Sequence, residues 1–229
     1  MNVRPLLLGA VLAFGGAAGV SATEPTAAEK QGQALVAELR AVSPTESYTQ
    51  TGILKMRDRA RHWIQIPFRL EIGAATTNRS VNVVITDPAL AGMVTNSLRG
   101  AQASTAIAGS DFQLGDLAME FLNWPEQRVL KREMRRGRAC KVLESVNPDP
   151  GPGRYHRVLT WIDSESSGII QAEAYDEHNK LLKEFEVKDL QKVNGHWEVK
   201  EMRIRNVQTG TQTLMQFDLG ETLAPAPRH

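Results

Sequence analysis

Alternating apolar and polar residues predict β-strands along most of this chain. The clearest run is HWIQIPFRLEI at residues 62–72, in which an isoleucine, phenylalanine or leucine takes every second position from residue 64. Pro67 lies in the middle of this run and favours an edge or a bulge, because proline cannot donate a ladder hydrogen bond. The same pattern, interrupted by turns rich in Gly, Asn, Asp and Pro, predicts further strands at residues 48–56, 81–85, 128–135, 138–146, 154–162, 169–176, 181–190, 196–206 and 211–219.

Helical spacing of apolar residues is confined to short parts of the chain. Residues 26–42 carry one narrow apolar stripe, and Pro44 ends the predicted helix. A second helix is predicted over residues 111–124, with Ser110 or Asp111 as its N-cap and a wide apolar face. Between these helices, residues 88–110 are rich in Ala, Gly, Ser and Thr, which predicts a mobile stretch with room for one short helix.

These elements predict an α+β fold dominated by one large antiparallel sheet of about ten strands, with two or three helices. Several strands carry apolar residues on both of their faces. In the strand at residues 154–162, Val158 and Ile162 share one face, and Leu159 and Trp161 share the other. A bulge is one explanation of such a pattern. The other is a strongly curved sheet whose concave side is covered by the helices, with an interior that is either packed or holds a ligand.

The chain begins with the layout of a secretory signal peptide at residues 1–22. Arg4 precedes a glycine-rich apolar run, and a small-residue cleavage site ends near Ala22. The run is shorter than the ~20 residues of a spanning helix. We therefore expect an exported protein with one domain at residues 23–219 and a disordered tail at residues 220–229.

Charge and cysteine content exclude some classes of protein. The formal charge of +1 falls to 0 when the segment that contains Arg4 is removed, so nothing favours nucleic-acid binding. The single cysteine, Cys140, excludes an intramolecular disulfide. Its apolar strand context favours a buried, inert thiol, and the nearby arginines leave a reactive thiol as the alternative.

No pattern of catalytic or metal-binding residues stands out. The five histidines lack metal-ligand spacing, and no phosphate-binding glycine loop, dinucleotide motif or nucleophile elbow is present in the sequence. Asp163 and Asp176 end predicted strands, where aspartate commonly serves turns. We therefore predict no catalytic residue, no metal and no cofactor. An unrecognised hydrolase that uses a carboxylate pair is the alternative.

One predicted hairpin is strongly basic. Residues 128–141, RVLKREMRRGRACK, carry seven basic residues and one acidic residue. Charged side chains on an edge resist stray strand pairing, which is one interpretation. The other is a contact for acidic headgroups or an acidic partner through Arg132, Arg135, Arg136 and Arg138.

Several segments, in the same order along the chain, resemble the LolA-like outer-membrane lipoprotein-sorting family. They are GSDFQLGDL (109–117), GRACKVLES, YHRVLTWID, AYDEHNKLLKEFEV and, after Trp197, MRIRNVQTGTQT. The resemblance covers residues 105–218 and is closest to the branch marked by GSDF…DL, WID and YD…KLLK. Asn179 stands where that branch often has glycine, and asparagine accepts left-handed turn geometry. No interior arginine aligns with the one that latches the lid in other members.

The resemblance implies an unclosed β-barrel with its helices as a lid over a hydrophobic cavity. It also implies a periplasmic carrier that binds lipoprotein acyl chains or another lipid for transfer toward the outer membrane. Its partners would then be an inner-membrane donor and an outer-membrane acceptor, with no nucleic acid. The alternative is a non-enzymatic periplasmic sensor or interaction module on the same scaffold.

Two groups of apolar residues are candidates for the ligand-binding surface of such a cavity, and plain core packing is the alternative for each of them. The candidates for the cavity wall are Ile64, Ile66, Phe68, Leu70, Trp161 and Phe185. The candidates for the lid are Phe112, Leu117, Phe121 and Trp124.

Overall fold

A computed structural model describes residues 24–41, 47–57, 62–73, 81–87, 94–97, 103–151, 154–193 and 195–220. The predicted signal peptide and residues 221–229 of the predicted tail lie outside the described residues. The strands are β1 Tyr48–Arg57, β2 Trp63–Ile72, β3 Val81–Ile85, β4 Val94–Ser97, β5 Glu126–Arg135, β6 Arg138–Val146, β7 Arg157–Asp163, β8 Ile169–Tyr175, β9 Leu181–Val193, β10 His196–Asn206 and β11 Gln212–Phe217.

All eleven strands belong to one antiparallel sheet with the order β4-β3-β2-β1-β11-β10-β9-β8-β7-β6-β5. Two meanders, β1–β4 and β5–β11, are joined where β1 pairs with β11, as Leu54 does with Met215. The sheet is curved and unclosed, with β4 and β5 as its edges. The predicted α+β fold with one large antiparallel sheet is thereby confirmed. The sequence analysis missed β4, because its four residues, VTNS, show no alternation.

Pro67 lies on β2 at the point where one neighbouring strand ends. The pairing of β2 with β3 begins at Phe68, whereas β1 continues alongside β2 as far as Trp63. The carbonyl of Pro67 accepts the N–H of Thr86, just after β3, at 3.0 Å. Proline has no N–H to donate, and Pro67 lies just beyond the residues of β2 that pair with β3. The strand therefore tolerates the proline here as it would at a sheet edge.

The helices are shorter than predicted. Helix α1 is Ala27–Ala41, close to the predicted 26–42. The second predicted helix is divided into α2, Leu114–Ala118, and a 3-10 turn, Glu120–Asn123, because Met119 between them has a left-handed φ of 50°.

The predicted N-cap of the second helix is wrong. Gln113 caps α2, and its backbone N–H donates to the carboxylate of Asp116 at 2.7 Å. The carboxylate of Asp111 is already engaged on the sheet, where it accepts the hydroxyls of Thr211 and Thr213.

Helix α1 lies against the edge strand β5, and Gly32 allows the close approach. A Cβ at Gly32 would come within 2.5 Å of the backbone of Gln127. The helix buries Leu35 and Val36 in a cluster with Phe121 and other residues of the inner face. It therefore covers the sheet on the same side as α2 and the 3-10 turn.

The sheet buries apolar residues on both faces, which explains the two-phase pattern of its strands. We call the face that carries α1 and α2 the inner face and the opposite one the outer face. On β7, Val158 and Ile162 pack on the inner face. Trp161 packs on the outer face with Cys140 and other apolar residues in a separate small cluster.

The turn between β8 and β9 fits the glycine replacement noted above. Asn179 has a φ of 60°, in the left-handed region that asparagine tolerates better than most residues.

Candidate functional site

A cavity of about 690 Å³ lies between the inner face of the sheet and the helical segments above it. We call these segments the cover; they are α1 and residues 111–124, which contain α2 and the 3-10 turn. This volume is within the ~300–1,000 Å³ range of small-molecule sites. The apolar residues that line it from the sheet are Leu70, Ile72, Val158, Ile169, Ala172, Ala174, Phe185, Val187, Val199, Met202, Ile204 and Phe217. Those that line it from the cover are Leu39, Leu117, Met119, Phe121 and Leu122.

One end of the cavity is polar and lies beneath the start of α2. Asp116, Tyr155 and Lys183 line it there. The Tyr155 hydroxyl donates to Asp116 Oδ1 at 2.8 Å, and the Lys183 ammonium lies 5.4 Å from the Tyr155 ring centroid. The Lys183 ammonium also donates to the carbonyl of Asp111 at 2.6 Å. These bonds tie the cover to the sheet at this end.

Burial perturbs the two acidic groups of this polar end. It raises the pKa of Asp116, while the nearby Lys183 ammonium and the N–H of Gln113 act in the opposite direction. Burial, together with the neighbouring Asp116 carboxylate, also raises the pKa of Tyr155 well above its usual value. The hydroxyl of Tyr155 therefore stays protonated and serves as a hydrogen-bond donor.

The other end of the cavity is fringed by polar side chains at the opposite ends of the strands. Thr49, Gln50, Glu198 and Asp218 line it there, and Asp218 is exposed. The hydroxyl of Thr51 donates to Asp218 at 2.9 Å. This end is where the cavity meets solvent.

The structure brings four of the ten predicted wall and lid residues to the cavity. Leu70 and Phe185 line it from the sheet, and Leu117 and Phe121 line it from the cover. For the two strand residues, alternation along the strand gives directly the phase that faces the cavity.

The other predicted wall residues lie elsewhere. Ile66 and Phe68 are buried in the solid core beside the cavity, which includes Phe217. Ile64 has the same phase but lies near the end of β2, where it is 44 % exposed. Trp161 lies on the outer face, so its assignment to the wall is corrected. Its phase was ambiguous in the sequence because both faces of β7 are apolar.

Two predicted lid residues also lie away from the cavity. Phe112 is fully buried and packs edge-to-face on Phe185, with 6.5 Å between the ring centroids. Trp124 packs against the cluster that contains Leu35, beyond the 3-10 turn. Both side chains fix the cover in place without reaching the space below it.

The arginines of the basic hairpin are largely paired with carboxylates of the same sheet. Arg135 and Arg138 donate to Glu173 and Asp163 at 2.9 and 2.8 Å, and Arg136 pairs with Glu186. Arg135 also stacks on Trp161, 4.4 Å from the ring centroid. Arg132 is exposed, and within the described part of the chain it forms no ion pair. The hairpin thus covers the outer face, and this gives an acidic partner little free positive charge to contact.

Cys140 lies on β6 of this hairpin and is buried against Val142 and Trp161, with 1 % of its surface exposed. Burial, followed by the carboxylate of Asp163, raises the pKa of its thiol. These surroundings agree with an inert thiol, because the thiolate is the reactive form.

The described residues contain neither a candidate metal site nor a candidate membrane-spanning helix. No group of three or more His, Cys, Asp or Glu side chains in this part of the chain is placed to hold a metal ion. None of its helices combines the length and the apolar character that crossing a membrane requires.

The sequence analysis did not single out the polar end of the cavity. Asp111 and Asp116 belong to the GSDFQLGDL segment, and Lys183 belongs to the KLLK segment that follows the β8–β9 turn. Both segments were recognised, but nothing in the sequence indicates that they meet inside the protein. A lysine at an inward-facing strand position was the available signal.

This architecture, an unclosed curved sheet over an apolar cavity with a short helical cover, defines the LolA-like fold. A DUF1329-like family model with the description "Uncharacterized protein" matches residues 87–224, more than half of the chain. The chain belongs to this family. No curated protein matches it.

Three crystal structures share the fold. A DUF1329 family protein from Desulfovibrio piger has a TM-score of 0.71 and 17 % identity, over 84 % of this chain and 92 % of that one. A putative outer membrane lipoprotein-sorting protein domain from Vibrio parahaemolyticus has a TM-score of 0.68 and 17 % identity, over 86 % and 95 %. A LolA superfamily protein from Nitrosomonas europaea has a TM-score of 0.68 and 16 % identity, over 86 % and 94 %. The resemblance seen in the sequence is confirmed at the level of the fold.

The raised pKa of Asp116 predicts a pH-dependent contribution to stability. The folded protein prefers the protonated carboxyl, so burying the ionised form lowers the free energy of unfolding. This cost is absent below the ordinary pKa of 3.8, grows as pH rises above that value, and levels off once the pH exceeds the raised pKa of the folded state. Relative to Asp116→Asn, the wild-type protein should therefore lose stability as pH rises from about 3.8 until the buried carboxyl is ionised. Urea unfolding of both proteins across that range checks this, and parallel curves would contradict it.

Proposed function

We propose that this protein is a non-enzymatic periplasmic carrier that binds the acyl chains of a lipoprotein or another lipid. The observation that carries the proposal is the cavity of about 690 Å³, lined chiefly by aliphatic and aromatic side chains. A sheet with an apolar hollow and a helical cover suits the storage of hydrocarbon. The signal-peptide layout of residues 1–22 supports export.

The energetics of such binding need no charge or metal. Each buried methylene contributes ~0.8 kcal/mol, so one long acyl chain could gain about 10 kcal/mol before the costs of association are subtracted. The same gain makes release the difficult step, and transfer then needs an acceptor that offers the chain an equally apolar place. We propose an inner-membrane donor and an outer-membrane acceptor, in line with the description of the Vibrio parahaemolyticus domain as a putative outer membrane lipoprotein-sorting protein.

The contacts of the cover bear on how the cargo enters. At its start, Asp111 is bonded to Thr211, Thr213 and Lys183. At its far end, the carbonyl of Phe121 accepts the Gln127 amide at 2.9 Å. A cover that is held at both ends cannot swing away from the sheet without breaking these bonds. We infer that the cargo enters and leaves at the solvent end, beside Glu198 and Asp218.

The direct test is mass spectrometry of lipids extracted from protein that is purified from the periplasm without detergent. A carrier should retain lipid in near-stoichiometric amount, and a periplasmic protein of similar size, purified in parallel, is the control. Delipidated protein should then bind the fluorescent apolar probe N-phenyl-1-naphthylamine, and lipid should displace the probe. Protein that carries no lipid and binds no probe would contradict the proposal and favour a sensor or interaction module with no lipid cargo.

A further inference from the structure

Lys183 is an unusual residue for the wall of an apolar cavity. It lies on the inner face of β9 and is only 9 % exposed, although lysine is almost never buried unless it is paired. Within the described part of the chain, Lys183 forms no salt bridge within 4.0 Å, and its ammonium donates one hydrogen bond, to the carbonyl of Asp111. An ammonium group has three N–H donors. Two donors are therefore left without a hydrogen bond to the described residues.

The neighbouring carboxylates are already occupied by other partners. Asp116 accepts the Gln113 N–H and the Tyr155 hydroxyl. Asp111 accepts two threonine hydroxyls. Neither carboxylate forms a salt bridge with Lys183 within 4.0 Å in the described part of the chain, although Asp116 lies near enough for its pKa to respond to the ammonium. Lys183 lines the cavity next to Tyr155, so its remaining donors are open to a ligand there. A buried cation with unused donors is costly unless an acceptor is supplied from elsewhere.

The position of Lys183 limits what that acceptor can be. At the polar end Lys183 lies deep under the cover and is only 9 % exposed, whereas Asp218 at the opposite end is exposed to solvent. A ligand whose acceptor reaches Lys183 must enter with that group first and must carry nothing bulky beyond it. A carboxyl-terminated single chain meets this requirement, and a chain joined to a protein at its head does not.

We propose that Lys183 binds the carboxylate of a single-chain fatty acid, with the hydrocarbon extending along the cavity toward the solvent end. This inference rests on the proposed lipid-carrying function and names its class of cargo. The ammonium donates charge-assisted hydrogen bonds to the carboxylate, which are stronger than bonds between neutral groups. The apolar walls bind the hydrocarbon tail regardless of the polar group at its end, and Lys183 selects ligands in which that group is a carboxylate.

The test compares chains of equal length and different heads on delipidated protein. Laurate, methyl laurate and 1-dodecanol each compete with N-phenyl-1-naphthylamine for the wild-type protein, Lys183→Met and Lys183→Arg. We expect Lys183→Met to weaken laurate at least tenfold, with 1-dodecanol changed less than twofold, and Lys183→Arg to retain most of the laurate affinity. The matched control is Lys180→Met, which removes the same charge from an exposed position just before the same strand.

The outcomes separate this inference from the function on which it rests. Laurate binding that is unchanged in Lys183→Met would overturn the inference and leave the carrier function intact. An equal loss for laurate and 1-dodecanol would also overturn it, because Lys183 would then act only by holding the cover. If Lys183→Met weakened the binding of methyl laurate as much as that of laurate, the assignment of a carboxylate ligand would be overturned. If no ligand binds the wild-type protein, the proposed function itself fails.

Discussion

An Ala172→Trp variant will fold normally and lose most of its affinity for lipid. Ala172 lies on β8 with its side chain toward the cavity, between Thr160 and Phe185 of the adjacent strands. An indole at this position occupies space that the cargo would fill. Displacing three methylenes costs about 2.4 kcal/mol, which is about fifty-fold in affinity.

Stability gives this experiment a second, independent readout. Adding a large side chain to a solid core costs about 1–3 kcal/mol through strain. Filling an empty apolar space costs nothing of this kind, so the melting temperature of the variant should be equal to or above that of the wild-type protein. The control is Ala139→Trp, an exposed position on β6. Ala172→Trp protein that melts early, or that binds lipid as the control does, would argue against a hollow at this place.

A Phe68→Ala variant will be the most destabilised of the single substitutions considered. Phe68 is 1 % exposed and packs edge-to-face on Phe217, with 5.9 Å between the ring centroids. It pairs with Gly52 on β1, where a Cβ would come within 2.8 Å of the ring. Removing the ring leaves a cavity that these rigid neighbours cannot fill, so we expect a loss of about 3–5 kcal/mol in the free energy of unfolding. Urea unfolding measures it.

Ile64→Ala is the matched control, because Ile64 lies four residues away on the same strand and in the same phase. Its side chain is 44 % exposed, and exposed substitutions usually change stability by less than about 0.5 kcal/mol. Similar losses for the two variants would mean that the solid core does not end between these positions. A Phe68→Ala protein that is stable but binds no lipid would instead make Phe68 part of the binding surface.

The comparison of sequence and structure shows what alternation can predict. Each predicted strand is present, because the period of two identifies a strand from local residues alone. The face that a strand turns to the cavity was predicted for Leu70 and Phe185, whose strands are apolar in one dominant phase. It failed for Trp161, since local alternation cannot tell an inner face from an outer one when a hairpin covers the outer face as well.

The polar end of the cavity was beyond sequence reasoning for a different reason. Asp116, Tyr155 and Lys183 come from three separate elements, and only the curvature of the whole sheet brings them together. The division of the second helix at Met119 was likewise hidden, because the helical spacing of apolar residues continues across Met119 and does not indicate its left-handed φ of 50°.

The pairing of β1 with β11 has a consequence for the order in which the polypeptide can mature. Thr51 and Asp218, which are hydrogen-bonded, are separated by 167 positions, and pairings of such high contact order form late and slowly. Until β11 is in place between them, both β1 and β10 present unsatisfied backbone groups to other chains. The wall of the cavity is thus completed only when β11 joins the two meanders, and a chain in which β11 has not yet paired is prone to aggregate.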